Sequence, residues 1–410
     1  MKSSEWRKVR LGEVITFNPK ESIPKGCLAK KISMDKLSPF QRRIEGYEIL
    51  PYAGGSKFRN GDTLLARITP CLENGKTAQV KILDDNEVGF GSTEFIVLRG
   101  KQNQTDNDFV FNLARSEHLR EIAIKSMAGT SGRQRAQTDV IENTLIKLPP
   151  LQEQKAIAHI LSTLDEKIEV NNKINKTLEE MAQSIFKHWF VDFEFPNEDG
   201  EPYKSSGGEM VNSELGPIPK GWEVVTLSEI TEITMGQSPS GSSYNEDGIG
   251  TVFYQGRTDF GRRFPTSRLY TTEPRRMALA GDILLSVRAP VGDINIAVEE
   301  CCIGRGLCAI RPNKGIESFV FYQLLSLKSI FDIYNGEGTV FGSINKKDLK
   351  DIKVILPDED ILIKFDNLVS MFDQEYKELD KESRNLISIR DTLLPKLMSG
   401  EIRVPIDNEQ

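Results

Sequence analysis

Histidine and cysteine are scarce in this chain of 410 residues, which has three His and five Cys. These residues, His118, His159, His188, Cys27, Cys71, Cys301, Cys302 and Cys308, have the spacing of neither a zinc ligand set nor a Cys-x-x-Cys pair. We therefore expect no metal site, and free thiols in a reducing compartment. The sequence also lacks an apolar run of about 18 residues and the apolar segment of a signal peptide. These absences predict a cytoplasmic protein without a membrane span.

The net charge of −7 hides an uneven distribution of charge. Residues 1–150 carry 24 Lys and Arg against 18 Asp and Glu, whereas residues 151–200 carry 5 against 10 and residues 351–410 carry 8 against 14. Residues 215–350 are balanced, with 15 of each kind. Because one part of a protein can contact phosphates while its acidic parts lie elsewhere, the acidic total does not exclude a nucleic-acid ligand.

The sequence contains an internal repeat with a period of about 210 residues, too long for a solenoid. Short landmarks recur in the same order: 6–14 at 222–230, 61–65 at 281–285, 109–111 at 319–321, 129–130 at 338–339, and 148–149 at 356–357. The sequence between the landmarks differs greatly between the copies. This pattern predicts a duplicated domain in which the landmarks form a structural frame, while the differing sequences between them recognise two different targets.

Each copy ends in a long segment with a heptad pattern, near residues 151–190 and 359–398. Apolar residues alternate there at spacings of three and four over four to five heptads, which predicts coiled-coil helices. The simplest partner for each helix is the other one. Asn171 falls at an a position, where we expect it to fix the register of the helices.

The predicted fold class is α+β, because short β-like runs precede a short helical stretch in each copy. Two mixed α/β domains form a pseudo-twofold repeat and are separated by the two long helices. The predicted segments, in chain order, are a first domain at 1–150, a helix at 151–190, a linker at 191–220, a second domain at 221–357, a helix at 358–398 and a tail at 399–410.

Motifs of catalysis are missing from the sequence. It has no phosphate-binding loop followed by Lys-Ser/Thr and no dinucleotide fingerprint. It also lacks the Asn-Pro-Pro-aromatic tetrapeptide with which amino-methyltransferases grip a flipped base. Pro357-Asp358 could begin a nuclease motif, but the acids that follow, Glu359 and Asp360, precede a heptad helix instead of a supporting strand. We therefore expect no catalytic residue on this chain and favour a binding role.

Basic, amide and hydroxyl side chains cluster in and around the Gly-rich loops of both copies. Hydroxyls and backbone amides suit phosphates, while Arg and Gln can bond bidentately to guanine and adenine edges. In the first copy the DNA-binding candidates are Lys57, Arg59, Arg67, Lys76, Thr130, Ser131, Arg133, Gln134 and Arg135. In the second copy they are Gln237, Ser238, Arg257, Arg262, Arg263, Arg288, Arg305, Ser343, Asn345, Lys346 and Lys347. The alternative for each single residue is ordinary surface charge.

Aromatic residues are concentrated in residues 182–195, at the end of the first long helix. Phe186, Trp189 and Phe190 either pack in a core or form a docking patch for a partner protein.

Three sequence motifs resemble the hallmarks of one protein family. Residues 148–168 read LPPLQEQKAIAHILSTLDEKI and resemble the end of a target recognition domain in specificity subunits of type I restriction-modification systems. Residues 207–222 read GGEMVNSELGPIPKGW and resemble the start of that family's second recognition domain. Residues 393–404 read LLPKLMSGEIRV and resemble its C-terminal signature. The second copy departs from the first motif at residues 357–360, which weakens the motif there without disturbing the heptads.

The resemblance implies two recognition domains held apart by an antiparallel pair of helices. Each domain would read one half of a split site in double-stranded DNA, and the helices would set the gap. It also implies assembly with methyltransferase subunits, which bind S-adenosylmethionine, and with restriction subunits, which use ATP and Mg²⁺ for translocation and cleavage. This chain itself would carry no cofactor.

Two other classes of function stay open. The chain could be a self-contained methyltransferase or nuclease, which S-adenosylmethionine binding or DNA cleavage by the chain alone would reveal. It could also be a non-catalytic coiled-coil scaffold, which a DNA-binding test would separate from a specificity subunit. RNA is a weaker alternative because no aromatic stacking platform of the usual kind is evident.

Overall fold

The structure is a computed structural model that describes residues 5–130, 132–313, 315–336 and 342–405. The chain divides into two compact units, one formed by residues 1–173 with 379–410 and the other by residues 174–378. Each unit contains one copy of the repeat together with a segment of each long helix.

Short strands and helices alternate in the first unit. Its strands are β1 (Arg7–Arg10), β2 (Ile15–Phe17), β3 (Leu28–Ile32), β4 (Glu48–Pro51), β5 (Ser56–Phe58), β6 (Thr63–Ala66), β7 (Thr77–Gln79), β8 (Gly89–Gly91), β9 (Phe95–Gly100) and β10 (Leu145–Leu148). Its helices are α1 (Leu11–Val14), α2 (Asn107–Arg115), α3 (Glu117–Lys125), α4 (Thr138–Glu142) and the first part of α5 (Leu151–Phe186).

Two four-stranded sheets, in the orders β2-β9-β6-β7 and β4-β3-β8-β5, form the body of the first unit. Successive side chains of a strand point to opposite faces, so the fully buried strand β6 serves two cores. Leu65 packs with α2 and α3, whereas Leu64 packs with the second sheet. This double burial explains why Leu64 and Leu65 are both apolar instead of alternating with polar residues.

The second unit has the same kinds of element. Its strands are β11 (Met210–Ser213), β12 (Gly216–Pro219), β13 (Glu223–Thr226), β14 (Thr231–Met235), β15 (Tyr244–Asn245), β16 (Thr251–Tyr254), β17 (Tyr270–Thr271), β18 (Met277–Ala278), β19 (Ile283–Ser286), β20 (Ile294–Ile296), β21 (Cys301–Ile303), β22 (Leu307–Pro312) and β23 (Lys353–Leu356). Its helices are α6 (Leu227–Ile230), α7 (Glu317–Ser326), α8 (Lys328–Ile333), α9 (Lys346–Lys350) and the first part of α10 (Glu359–Ser399).

The two units share a frame and differ outside it. The sheet order β14-β22-β19-β20 repeats β2-β9-β6-β7, and the pair β13·β23 repeats β1·β10. The larger remaining sheet of the second unit, β15-β17-β16-β21-β18, repeats the order β4-β3-β8-β5 in its last four strands and adds β15 at one edge. The α+β class with an internal repeat is therefore confirmed, and the second sheets of the two units differ by one edge strand.

A buried Asp–Arg pair explains the repeated Gly-Asp motif. Asp62 accepts hydrogen bonds from Nε and Nη2 of Arg99 at 2.6 and 2.7 Å. Asp282 accepts the same two bonds from Arg311 at 2.8 and 3.0 Å. Such bidentate pairs are directional as well as strong. Each therefore fixes the start of β6 or β19 against the neighbouring strand.

Polar contacts join the two long helices within the first unit. Asp165 of α5 accepts hydrogen bonds from Nη1 of Arg115 at 3.0 Å and Nη1 of Arg390 at 2.9 Å. Further along α5, Asn171 is buried and donates to Ser383 Oγ at 3.3 Å. Residue numbers thus rise along α5 as they fall along the contacting segment of α10. The Asn171 bond is of the kind that fixes a register.

The segment predicted as a linker, residues 191–220, packs on the second unit. The α-helix ends at Phe186 and continues as a π-helical turn over Lys187–Val191. Phe195 then stacks on Trp222, with ring centroids 4.8 Å apart, and on Tyr203 at 4.6 Å. Aromatic burial of this kind holds the connection against the body of the second unit.

No helix of the described residues is long and apolar enough to cross a membrane. All five cysteines lie in the described part of the chain, and none of them forms a disulfide.

Replacing Asp165 tests the buried contact between α5, α2 and α10. The side chains of Asp165, Arg115 and Arg390 are 4, 9 and 9% exposed. Asp165→Ala would leave two buried guanidinium groups without their carboxylate, so we expect the free energy of unfolding to fall by about 3–5 kcal/mol. Urea denaturation measures the change.

The matched control is Asp391→Ala, which removes an exposed partner of Arg390 and is expected to lower the free energy of unfolding by at most about 1 kcal/mol. Equal losses in the two variants would contradict the assignment.

Candidate nucleic-acid interface

The Gly-rich loop of the first unit is docked on a turn between β6 and β7. Within residues 67–76, Thr69 N donates to Gln134 O at 3.0 Å, and Arg67 O accepts from Ala136 N at 2.8 Å. The loop closes on itself because Ala128 and Arg135 exchange backbone hydrogen bonds. Four of the predicted residues, Arg67, Lys76, Gln134 and Arg135, thereby come together on one turn and one loop.

An ion pair orients Arg135 on this surface. Its Nη2 lies 2.7 Å from Glu94 Oε1, and its side chain stays 43% exposed. The hydrogen bond from Arg135 lowers the pKa of Glu94, so the carboxylate is ionised at neutral pH. The backbone N of Arg67 also donates to Glu94 O at 3.0 Å. Arg135 therefore presents its remaining donors from a fixed position.

The exposed tip of the loop carries Thr130 and Arg133. Thr130 O accepts from Arg133 N at 3.0 Å, which turns the chain back toward the body of the unit. Ser131 lies outside the described residues.

The second unit repeats this docking with different side chains. Ala289 N donates to Gly342 O at 3.0 Å, and Ile344 N donates to Val287 O at 3.0 Å. Arg288 and Ser343 form the bridge that Ile68 and Arg135 form in the first unit, and both are exposed. The start of this loop, including Gly338 and Thr339, lies outside the described residues.

Exposed lysines continue this surface at the start of α9. Lys346 and Lys347 are the first two residues of the helix. Asn345 precedes them and accepts a hydrogen bond from Asp348 N at 2.9 Å. The Asn345 side-chain oxygen thus caps the helix, and its amide nitrogen donates to Asp348 Oδ2 at 2.8 Å.

Neighbouring loops bring further predicted residues to the turn of the second unit. Ser238 Oγ accepts from Arg305 N at 3.2 Å, and Val287 N donates to Gly306 O at 2.9 Å. Gln237 and Arg305 are exposed. Arg257 pairs with Asp293, which lies in the turn between β19 and β20. Backbone contacts thus connect these predicted residues with Arg288 and Ser343.

Three predicted cations of the first unit have local partners. Arg59 Nε lies 2.8 Å from Glu21 Oε2, and Lys57 lies 5.6 Å from the Tyr52 ring centroid, both at or next to β5 of the second sheet. Lys76 donates to Met34 O at 2.9 Å. Lys57 and Arg59 therefore lie at the sheet β4-β3-β8-β5, whereas Lys76 lies on the turn itself.

Arg263 was predicted to bind DNA, and the structure corrects this. Arg263 is 3% exposed and pairs with Asp373 of α10. Its Nη2 also donates to the Tyr322 hydroxyl at 3.2 Å, and its guanidinium lies 4.4 Å from the Phe321 ring centroid. Although burial opposes it, the charge of Asp373 keeps the pKa of Arg263 above its ordinary value. Arg263 therefore anchors the segment between β16 and β17 to α10, while its neighbour Arg262 is exposed.

The proposed docking patch for a partner protein is also corrected. Phe186 and Phe190 are 3% and 5% exposed and belong to the core of the second unit. Phe190 packs edge-on against Phe365 at a centroid distance of 4.9 Å. Trp189 is half-buried against the same core. Apolar packing between α5 and α10 explains the aromatic cluster.

Two side chains that the sequence did not single out border the turn of the first unit. Arg120 Nη2 donates to Glu73 O at 3.0 Å, and Phe40 N donates to Gly75 O at 3.0 Å. The repeat offers no signal for Phe40, because residues 38–41 lie where the two copies differ.

The described residues contain no group of three or more His, Cys, Asp or Glu side chains that could hold a metal ion.

Comparisons with known proteins agree on one family. The chain matches the type I restriction modification DNA specificity domain over residues 3–180 and 219–381. It is 35% identical over 357 residues to the specificity subunit assigned to the type I restriction enzyme MjaX of Methanocaldococcus jannaschii, which covers 84% of this chain and 79% of the relative. It is 26% identical over 426 residues to the HindI specificity subunit of Haemophilus influenzae, covering 88% and 90%.

A solved structure supports the fold. The S subunit of a type I restriction-modification system from M. genitalium superimposes with a TM-score of 0.57 over 97% of this chain and 96% of its own. The two sequences are 18% identical, so this likeness concerns the fold alone.

Adjacent arginines give a test of the corrected site. Arg263→Ala would leave Asp373 without its buried partner, and we expect the free energy of unfolding to fall by about 3–5 kcal/mol. Arg262→Ala changes an exposed residue, for which we expect a loss of at most about 1 kcal/mol. Thermal and urea denaturation of both variants measure this difference. A stable Arg263→Ala protein with weakened DNA binding would restore the original prediction.

Proposed function

Since the chain belongs to the family of type I restriction-modification DNA specificity proteins, we propose that it selects the DNA sequence for such a complex. Each recognition domain reads one half of a bipartite site in double-stranded DNA. The chemistry of methylation and cleavage belongs to partner subunits.

One observation supports two half-sites most strongly: the same loop is docked on the same turn in both units, with different side chains. Arg67 N donates to Glu94 O in the first unit, and Val287 N donates to Gly306 O at the equivalent place in the second. The first unit therefore presents the pair Glu94–Arg135 where the second presents Gly306 and Ser343. Two loops that are docked in the same way but present different hydrogen-bonding groups suit two different base sequences.

Contacts to phosphates and contacts to bases call for different side chains. The exposed lysines at the start of α9 suit phosphates, as do the hydroxyl and amides of the loop tip around Thr130. Arg133, Arg288 and Arg305 are exposed and carry planar donor groups that match guanine edges. We assign positioning to the first group and sequence reading to the second.

The long helices act as a spacer in this proposal. Within each unit, α5 and α10 are in contact, through Asp165 and Arg390 in the first and through Phe186 and Phe365 in the second. These contacts support an antiparallel coiled coil that separates the two recognition domains. The number of helical residues would then set the gap between the half-sites.

The partners follow from the family. We propose that methyltransferase subunits supply S-adenosylmethionine and that restriction subunits supply ATP and Mg²⁺, while this chain carries no cofactor and no catalytic residue. The complex would act on DNA in the cytoplasm.

Methylation mapping tests the function. The chain is coexpressed with its methyltransferase subunit in an unmethylated host, and modified bases are sequenced. We expect adenine methylation in a bipartite motif. Arg133→Ala/Arg135→Ala should relax one half-site, and Arg288→Ala/Arg305→Ala the other, since each lost base contact costs about 1–3 kcal/mol of discrimination.

A control with the same loss of charge is Lys8→Ala/Lys147→Ala, because these exposed lysines face each other across β1 and β10. It should leave both half-sites unchanged. A folded complex that methylates nothing would favour a scaffold or an inactive remnant. S-adenosylmethionine binding or DNA cleavage by this chain alone would favour the enzyme alternative.

Lengthening the spacer tests the role of the helices. Seven residues inserted into both α5 and α10 add about 10 Å of helix. Since a base pair rises 3.4 Å, the recognised gap should lengthen by up to about three base pairs. The half-site sequences should stay the same, as methylation mapping would show. Altered half-sites with an unchanged gap would contradict the spacer role.

A further inference from the structure

Phe40 adopts a backbone conformation that bulky residues rarely accept. Its φ is +58°, in the left-handed region, and its side chain is 54% exposed. Left-handed backbone is sterically unfavourable for a residue with a Cβ. Backbone strain at an exposed aromatic residue is a feature that proteins concentrate at functional sites.

Neighbouring groups hold the ring in place. Phe40 N donates to Gly75 O at 3.0 Å, and a Cβ added to Gly75 would lie 2.5 Å from Phe40 Cε1. The guanidinium of Arg120 lies 4.8 Å from the Phe40 ring centroid, and Arg120 Nη2 donates to Glu73 O at 3.0 Å. The ring therefore packs against Gly75 of the turn at residues 67–76, and the Arg120 guanidinium stacks on it. The residue still keeps 54% of its surface exposed.

This turn is the one on which the Gly-rich loop is docked. Lys76 lies on it, and Gln134 O accepts the hydrogen bond from Thr69 N. One cation, Arg120, thus stacks on the exposed apolar ring, and a second, Lys76, lies on the same turn. That combination suits DNA, whose phosphates attract the cations and whose bases offer apolar faces, better than it suits an apolar surface of a partner protein.

The second unit uses the equivalent place differently. Gly292 stands in the turn between β19 and β20, as Gly75 does between β6 and β7. A Cβ added to Gly292 would lie 2.5 Å from Cβ of Phe331, which is fully buried. An aromatic residue covers the turn glycine in both units, but only Phe40 of the two is exposed.

We propose that Phe40 is an apolar wedge that contacts the DNA bases of the half-site read by the first unit. Apolar side chains such as Phe enter base steps in other DNA-binding proteins and partly unstack them. Arg120 fixes one face of the ring, so the exposed part is presented without reorganisation. This inference rests on the proposed function and adds a residue that determines specificity.

The test measures affinity against salt concentration. The chain in complex with its methyltransferase subunits is titrated onto a duplex that carries the bipartite site found by methylation mapping. Phe40→Ala should weaken binding by roughly 5- to 150-fold, the range expected for a lost aromatic stack on a base. The slope of log affinity against log salt should stay unchanged, because no phosphate contact is lost. Lys346→Ala removes a residue assigned to phosphate contact and should instead reduce that slope.

Two further variants act as controls. Tyr47→Ala removes an aromatic ring that is 42% exposed and lies 4.9 Å from a cation, Lys30, but that precedes β4 of the other sheet. It should bind as the wild type does. Phe40→Gly removes the same ring as Phe40→Ala and adopts left-handed backbone freely. It should melt at a temperature no lower than Phe40→Ala and bind as weakly.

The outcomes separate this inference from the proposed function. Wild-type affinity in Phe40→Ala and Phe40→Gly would overturn the wedge while the complex still reads its site. Loss of the methyltransferase subunits from the Phe40 variants would also overturn it, because Phe40 would then be a protein contact. A wild-type complex that binds no duplex and methylates no DNA would overturn the proposed function, and this inference with it.

Discussion

An ion pair made by a carboxylate at the same position of each long helix, buried at Asp165 and half-buried at Asp373, is the interaction on which the rest of each unit depends. Asp165 is the fifteenth residue of α5, and Asp373 is the fifteenth residue of α10. Asp165 binds Arg115 of α2 and Arg390 of α10. Asp373 binds Arg263, which lies between β16 and β17, and accepts a hydrogen bond from the Tyr322 hydroxyl at 2.8 Å. Hydrogen bonds between a guanidinium and a carboxylate are strong and restrict the relative orientation of the two groups. Each domain is therefore held rigidly on its helix, which a reader of DNA sequence requires because a base contact tolerates little displacement.

Duplication separates what must stay constant from what can vary. The Gly-Asp motif, the strand order around it and the loop docked on its turn are the same in both units. One edge strand of the second sheet, the residue that corresponds to Arg135 and the residue that covers the turn glycine are different. Variation is thus confined to surfaces that a fixed frame presents. Two specificities can arise in this way without a new fold, since backbone hydrogen bonds dock the loop whatever its side chains are.

The sequence predicted the features that depend on neighbouring residues better than those that depend on contacts between distant residues. The heptads predicted α5 and α10 to within a few residues, and the repeated landmarks predicted the shared frame, because both depend on neighbours along the chain. Arg262 and Arg263 are indistinguishable in sequence, however, and the partner that buries Arg263 lies 110 residues away. The buried roles of Phe186 and Phe190 depend likewise on Phe365 of the other helix. Such distant partners decide whether a side chain is buried or exposed, so the sequence could not assign single residues to the surface.

The acidic net charge is consistent with sequence-specific binding once the partners of the arginines are considered. Arg135 pairs with Glu94, Arg257 with Asp293 and Arg59 with Glu21. Non-specific affinity for DNA grows with the number of phosphates that a protein neutralises. A carboxylate beside each guanidinium lowers that general attraction, yet it leaves donors of the same guanidinium oriented for a matching base edge. Pairing therefore weakens binding to any sequence more than binding to the right one, which raises the ratio between them. A specificity subunit needs that ratio more than it needs affinity, because most of the DNA that it meets is not its site.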